Sequence, residues 1–188
     1  MTTAILLISL GTLLRFGHLA GLGWNAVPLM AIALYAGARL PRKWAMLVPL
    51  ATLLASDIVL DWGTKRGLFD YDRLAVYACL VLVPLAGPWL NRHRGILAKM
   101  GLVVSASVVF FLATNFAVWL MPATALTPKL YPMTLAGLVD CFVKAIPFYR
   151  NTLIAELVGM PLIFGLDSLA HLAANLVSQK KPAIAAAE

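Results

Sequence analysis

The chain has 188 residues, of which 62% are apolar and only 12% are charged. Soluble domains are typically about 45–50% apolar and about 25% charged, so the composition excludes a soluble enzyme, a disordered chain and a disulfide-stapled secreted domain. The formal net charge of +7 fits basic residues at the ends of membrane helices better than nucleic-acid binding, because no basic stripe with interleaved aromatic residues occurs.

Six apolar runs follow one another along the chain and predict six membrane-crossing helices in a single domain, residues 1–188. A crossing needs about 20 residues. The first run lacks the basic start and the cleavage site of a signal peptide, so we predict a retained helix. In the fourth run, Pro84 and Pro88 are expected to bend the helix. The runs span about residues 3–20, 26–38, 44–62, 73–90, 100–120 and 147–177.

The connecting segments predict how the helices are oriented. Residues 121–146 mix proline, lysine, tyrosine and aspartate, and we interpret them as an outer cap loop, in which the run LAGLVDCFV at 135–143 could form a short helix lying over the bundle. Two short loops on the side of the N-terminus, 39–43 and 91–99, hold basic residues and no acidic residue. Because short cytoplasmic loops are enriched in Lys and Arg, both termini are expected in the cytoplasm. The predicted fold class is an all-α integral membrane protein with six transmembrane helices.

Polar and aromatic residues concentrate on the side predicted to be outside. Asp57 and Asp61 are four residues apart and share one helix face, and Asn115 and Trp119 repeat this spacing. Polar groups inside a membrane face a cavity or pair with one another. Two hypotheses therefore stand: an outward-facing pocket, or a buried ion-pair network, such as Asp57 with Arg150, that only ties helices together. The candidate pocket residues are Asp57, Trp62, Tyr71, Asp72, Asn115, Trp119, Tyr131, Arg150 and Asn151.

The sequence lacks the features expected of several other classes of membrane protein. Few ionisable residues lie in the predicted inner half, which argues against a proton pump, and no helix carries the full polar stripe of a channel. No phosphate-binding loop, zinc-protease motif or paired-cysteine motif occurs. The three histidines, His18, His93 and His171, are far apart in sequence, so no free metal ion is expected.

Cys79 is the most reactive candidate in the predicted pocket. It lies about seven residues into the fourth helix, roughly 10 Å below the outer end at about 1.5 Å per residue, where we expect the pocket floor. A lone cysteine in a membrane helix is commonly a small apolar filler. The functional alternative is a soft thiolate ligand for a transition metal carried by a substrate. Cys141, in the predicted cap, is a second and weaker candidate.

The later half of the chain carries motifs of a known kind of membrane protein. They are TNFAVW at 114–119, Tyr131-Pro132, GLVDC at 137–141 and AIPFYRNTL at 145–153. With these runs, residues 24–166 resemble small bacterial membrane proteins similar to the S-components of energy-coupling-factor vitamin transporters. The resemblance implies an S-component-like bundle of six helices in the bacterial inner membrane, with both termini cytoplasmic and an outer vitamin pocket capped by loops.

Within this group, the chain looks most like the solitary cobalamin transporters of the BtuM type. That resemblance implies vitamin uptake, with cobalamin as the bound substrate and Cys79 as the thiolate that coordinates its cobalt. It also implies a catalytic role for Cys79 in removing cyanide from cyanocobalamin. Trp62, Tyr71, Trp119 and Tyr131 would line the corrin, and Asp57, Asp72, Asn115, Arg150 and Asn151 would bind its amide arms.

The first helix departs from the pattern of S-components that dock on a shared energising module. Such helices usually carry Ala-x-x-x-Ala, whereas residues 4–11 read AILLISLG. We therefore expect no energising partner beside the lipid bilayer and the small-molecule substrate. Two alternatives remain at this point: a transporter of another vitamin or a metal chelate, in which Cys79 is filler, and a membrane scaffold without transport activity.

Overall fold

The computed structural model describes residues 2–17, 21, 26–60, 62, 71–92, 95–122 and 128–185. Within these residues the secondary structure is helical and no strand occurs, which confirms the predicted all-α class. The helices are α1 (Thr2–Arg15), α2 (Leu29–Arg39), α3 (Arg42–Leu60), α4 (Tyr71–Leu82), α5 (Pro88–Arg92), α6 (Ile96–Leu120) and α7 (Leu135–Ala185).

Among the described residues, four segments are long and apolar enough to cross a membrane. The most apolar is Ile96–Leu120, with a mean hydropathy of 2.2, and only 11% of that stretch is buried inside the chain. Two shorter apolar helices, Thr3–Arg15 and Leu29–Arg39, accompany them. The four segments are Arg42–Leu60, Arg73–Arg92, Ile96–Leu120 and Leu135–Ala173, and they coincide with the last four predicted runs.

The core of the bundle is built around α2. Every residue from Met30 to Ala36 is buried, because α1, α3, the 3-10 turn after α4, α5, α6 and α7 all pack against this short helix. Helices α2 and α7 run in the same direction: the start of α2 contacts Glu156, and Arg39 at its end contacts Asp167. We call the end of the bundle that holds Arg15 and Leu29 the cavity end, and the end that holds Leu40 and Pro41 the turn end.

At the predicted bend in the fourth run, a short 3-10 segment interrupts the α-helix. After α4 the backbone tightens into a 3-10 turn, Val83–Ala86, and α5 then begins at Pro88, because proline cannot continue an α-helical hydrogen-bond ladder. This turn packs directly on α2. A Cβ atom added to Gly37 would lie 2.0 Å from the carbonyl oxygen of Pro84, so only glycine fits at this crossing.

Gly37→Ala is therefore expected to destabilise the protein by about 2 kcal/mol, within the roughly 1–3 kcal/mol range of overpacked cores. The matched control is Gly101→Ala on α6, where an added Cβ meets nothing within 4 Å. Alanine favours the helix at that exposed site, so the control should be neutral or stabilising by up to about 1 kcal/mol. Thermal unfolding in detergent measures both, and equal shifts in Tm would contradict the close crossing.

The predicted cap loop 121–146 is wrong in its second half. The last helix begins at Leu135 rather than at Pro147 and continues to Ala185. Its start is stabilised by Thr134, whose hydroxyl accepts the Gly137 N–H at 3.1 Å. The polar residues that suggested a loop instead occupy an exposed helix face, where Lys144 donates to Asp140 four residues earlier. The first helix also ends earlier than predicted, at Arg15, and the second starts later, at Leu29.

Candidate functional site

A cavity of about 370 Å³ lies at the cavity end, between α1, α2, α3, α4, α6 and α7. It is bounded on one side by charged and hydroxyl groups of α1, α3 and α4, and on the other by aromatic rings of α6 and α7. The lining residues are Arg15, Val27, Leu29, Met30, Leu53, Asp57, Arg73, Val76, Tyr77, Phe110, Phe111, Thr114, Asn115, Val118, Ala145, Phe148, Tyr149 and Thr152.

Asp57 organises the polar side of this cavity. Its side chain is buried near the end of α3, where Arg15 of α1 donates to Oδ1 at 2.5 Å and the Tyr77 hydroxyl of α4 donates to Oδ2 at 2.8 Å. The Arg73 guanidinium lies 3.7 Å from the same Oδ2 atom. One carboxylate thus ties three helices together. The pairing of Asp57 with Arg150 considered from the sequence is wrong, since Arg150 is exposed on α7.

The opposite wall is aromatic. The rings of Phe111 on α6 and Tyr149 on α7 lie 4.5 Å apart between centroids, at an angle of 33°. Asn115, one turn further along α6, donates through Nδ2 to the Phe111 carbonyl at 2.8 Å. The Tyr149 hydroxyl is buried and has no hydrogen-bond partner among the described residues. A planar, partly polar molecule would find both a stacking surface and a hydrogen-bonding group on this wall.

Tyr149→Phe tests whether that hydroxyl is free of the protein. Ser107 on α6 supplies a matched control, because its buried hydroxyl also lacks a partner within the described chain but does not line the cavity. A buried hydroxyl without a partner destabilises the fold, so both Tyr149→Phe and Ser107→Ala should leave the Tm of ligand-free protein unchanged or slightly higher in scanning fluorimetry. A fall of several degrees for Tyr149→Phe alone would reveal a protein partner for the hydroxyl.

Glu156 lies on α7 one turn beyond Thr152, next to the cavity. It is fully buried and accepts the backbone N–H groups of Met30 at 2.7 Å and Ala31 at 2.8 Å. These N–H groups belong to the first turn of α2, which has no side-chain cap of its own, so the Glu156 oxygens satisfy two donors that the helix leaves without an intrahelical partner. Glu156 was not among the residues predicted from the sequence. The available signal was a single acid inside an apolar run.

A second polar cluster holds the other end of α2. Asp167 on α7 accepts from the Tyr35 hydroxyl at 2.6 Å and from Arg39 at 2.5 Å, and His171 lies 3.6 Å away. The Tyr35 ring also packs edge-on against Phe164. With Glu156 at the start of α2 and Asp167 at its end, α7 fixes both ends of the central helix, and neither carboxylate lines the cavity.

The structure brings only part of the predicted pocket together. Asp57 and Asn115 line the cavity. Two further predicted residues, Trp119 and Tyr131, lie near each other but do not line the cavity. Trp119 donates to the Pro132 carbonyl at 3.0 Å, and the Tyr131 ring lies under Lys144. Trp62 and Arg150 are exposed and Asn151 is half-buried, and none of these three lines the cavity. The side chains of Tyr71 and Asp72 lie outside the described residues.

The structure does not place Cys79 at the cavity floor. Helix α4 turns Arg73, Val76 and Tyr77 toward the cavity, and successive residues of an α-helix are about 100° apart, at 3.6 per turn. Cys79 follows Tyr77 by two positions and therefore points to a different side, where its free thiol is half-buried. The thiol of Cys141 is buried and contacts the Asn115 carbonyl at 3.4 Å, so it joins α7 to α6.

No group of three or more His, Cys, Asp or Glu side chains able to hold a metal ion occurs in the part of the chain that the structure describes.

In the comparison with protein families, a family of unknown function, DUF6580, matches residues 1–180. No curated protein and no solved structure matches the chain. The chain belongs to the DUF6580 family, which assigns no chemistry to the cavity.

Proposed function

We propose that this DUF6580 member is a multi-pass protein of the bacterial inner membrane that binds a small organic molecule in the cavity and carries it into the cell. The membrane part of the proposal is supported by α6. This helix is the most apolar of the chain and is mostly not covered by it, so lipid is the environment that would satisfy its surface. Large apolar side chains such as Val109, Leu162 and Leu166 are likewise exposed on α6 and α7.

The proposed topology has six crossings, with α4 and α5 counted as one. Helices α1 and α2 complete the set although they are short, and α2 is buried within the bundle rather than facing lipid. The turn end carries the acid-free basic loops 39–43 and 91–99, which favour the cytoplasmic side. The cavity end then faces outward, as an uptake protein requires.

The observation that carries the functional proposal is the two-sided lining of the cavity. Ligand sites are typically about 300–1,000 Å³, mostly apolar, with a few polar groups that fix orientation. This cavity, at about 370 Å³, lies at the small end of that range. It pairs an aromatic wall, Phe111 and Tyr149, with the polar cluster around Asp57. The geometry therefore favours a vitamin-sized molecule with a ring and a polar group.

Cobalamin is the second candidate, and the specific feature that supports it is the free thiol of Cys79, two residues from the cavity-lining Tyr77. A corrin is far larger than the cavity, so its binding requires the helices to separate and α4 to turn Cys79 inward. The thiolate would then coordinate the cobalt and could assist loss of cyanide. Visible spectra of wild-type and Cys79→Ala protein, purified after growth with cyanocobalamin, test this. Colourless wild-type protein would exclude the corrin.

A stabilisation screen tests the smaller ligand. Purified protein in detergent would be unfolded thermally in the presence of each water-soluble vitamin. A ligand at about 100 times its Kd stabilises the native state by about 2.7 kcal/mol, so one compound should raise the Tm by several degrees. Tyr149→Phe should reduce that increase, whereas Ser107→Ala should not. If neither the vitamins nor cobalamin shifts the Tm, the remaining hypothesis is a scaffold whose polar residues are structural. The absence of an energising partner, expected from the sequence of the first helix, is a separate prediction that this screen does not test.

A further inference from the structure

A second concavity lies at the turn end, on the side of the bundle where α4 is broken. It encloses about 460 Å³ and is separate from the cavity described above. Its walls are the α2–α3 turn and the segment around the 3-10 turn Val83–Ala86. The lining residues are Gly37, Leu40, Arg42, Ala45, Met46, Pro84, Leu85 and Pro88, and we call this surface the turn-end groove.

Apart from Arg42, the described residues that line the groove have uncharged, apolar side chains. Arg42 is exposed at the start of α3. Leu85 and Pro88 are also exposed, so the groove opens on the outer surface of the bundle and not into its core. Pro84 and Leu85 of the 3-10 turn and Pro88 at the start of α5 form one wall of this concavity.

The surroundings of Arg42 favour an anionic partner. Arg39 at this end is paired with Asp167 of α7, but Lys43 and Arg92 lie at the same end of the bundle, and residues 39–56 and 83–114 contain no aspartate or glutamate. A guanidinium binds phosphate through charge-assisted hydrogen bonds. Basic pockets between membrane helices on the cytoplasmic side are known to hold anionic headgroups.

We propose that the turn-end groove binds one anionic phospholipid of the inner leaflet, with its phosphate on Arg42 and the first part of an acyl chain along Met46, Leu85 and Pro88. The proposal rests on the membrane insertion and orientation proposed above, but not on the identity of the transported molecule. Such a lipid would cover the apolar break in α4 and hold the α2–α3 turn against the membrane surface.

Native mass spectrometry of the full chain in dodecyl maltoside tests this proposal. Delipidated protein would be titrated with phosphatidylglycerol and phosphatidylcholine of identical acyl chains. Arg42→Gln is compared with Lys43→Gln, which removes the same charge from the adjacent residue, outside the groove. Both positions lie in the first turn of α3, where a cation opposes the helix dipole, so neither variant should unfold. Leu85→Gln tests the acyl contact.

The expected result is that wild type and Lys43→Gln bind one phosphatidylglycerol, about tenfold more tightly than phosphatidylcholine. Arg42→Gln should lose this preference, and Leu85→Gln should weaken binding of both lipids. If Arg42→Gln and Lys43→Gln lose the preference for phosphatidylglycerol equally, the effect is a diffuse one of surface charge and the proposed lipid site is wrong. Wild-type protein that binds both lipids equally would overturn the proposal as well. Protein that fails to fractionate with membranes would contradict the proposed membrane insertion. This outcome differs from a failure of the lipid site alone, in which the protein is in the membrane but shows no lipid preference.

Discussion

Glu156→Ala is expected to lower the free energy of unfolding by about 3 kcal/mol or more. The change leaves the N–H groups of Met30 and Ala31 buried without their carboxylate acceptors, and each lost acceptor costs about 1–3 kcal/mol. For a chain of this size, that loss corresponds to a fall in Tm of roughly 6–12 °C. Circular dichroism during thermal unfolding in detergent measures it.

Two further variants separate this role from a general effect of removing charge. Glu156→Gln keeps one oxygen acceptor and should lose less stability than Glu156→Ala. Asp140→Ala removes a carboxylate of an exposed pair with Lys144 on the same helix, and exposed pairs contribute little to stability. A Glu156→Ala protein as stable as Asp140→Ala would contradict the assignment of Glu156 as the cap of α2.

Asp57→Ala is expected to produce the second large effect, a loss of about 2–3 kcal/mol. Removing one partner of a fully buried ion pair costs about 3–5 kcal/mol, and Arg15 retains one-fifth of its side-chain exposure, which reduces the cost. The variant also removes the acceptor of the Tyr77 hydroxyl. Because three helices lose a common tie beside the cavity, ligand-induced stabilisation should fall together with the Tm.

A double-mutant cycle identifies the partner of Asp57. Arg15→Ala should cost much less in the Asp57→Ala background than in wild type, because residues in direct contact show coupling energies of about 0.5–3 kcal/mol. Arg150→Ala is the matched control, since it removes the same kind of side chain from an exposed site. Coupling of Asp57 to Arg150 instead of Arg15 would contradict the arrangement of the polar cluster.

The fold class was predictable because hydrophobicity over about 20 residues is a strong local signal. The four long apolar segments overlap predicted runs, and a 3-10 turn interrupts the fourth run at Pro84, where a bend was expected. The start of α7 was not predictable in the same way. Asp140, Lys144 and Pro147 suggest a loop when they are read singly, yet a long helix accommodates them on exposed faces.

The composition of the site was harder to predict because it depends on distances between helices. Asp57 and Asn115 were recognised as intramembrane polar residues, and both line the cavity. The partners of Asp57, Arg15 and Tyr77, are 42 and 20 residues away along the chain, and spacing within one helix gives no information about such contacts. The side to which Cys79 points also depends on the rotation of α4, which neighbouring helices determine.

The central claim is that the cavity holds a small molecule, and mass spectrometry of compounds released from purified protein tests it most directly. Ala145 lines the cavity on α7, whereas Ala136 is exposed on the same helix. Ala145→Phe therefore fills the cavity, and Ala136→Phe adds the same side chain outside it. Wild type and Ala136→Phe should release one compound in near-stoichiometric amount, and Ala145→Phe should release little of it. Equal release from all three proteins, or none from wild type, would contradict the account.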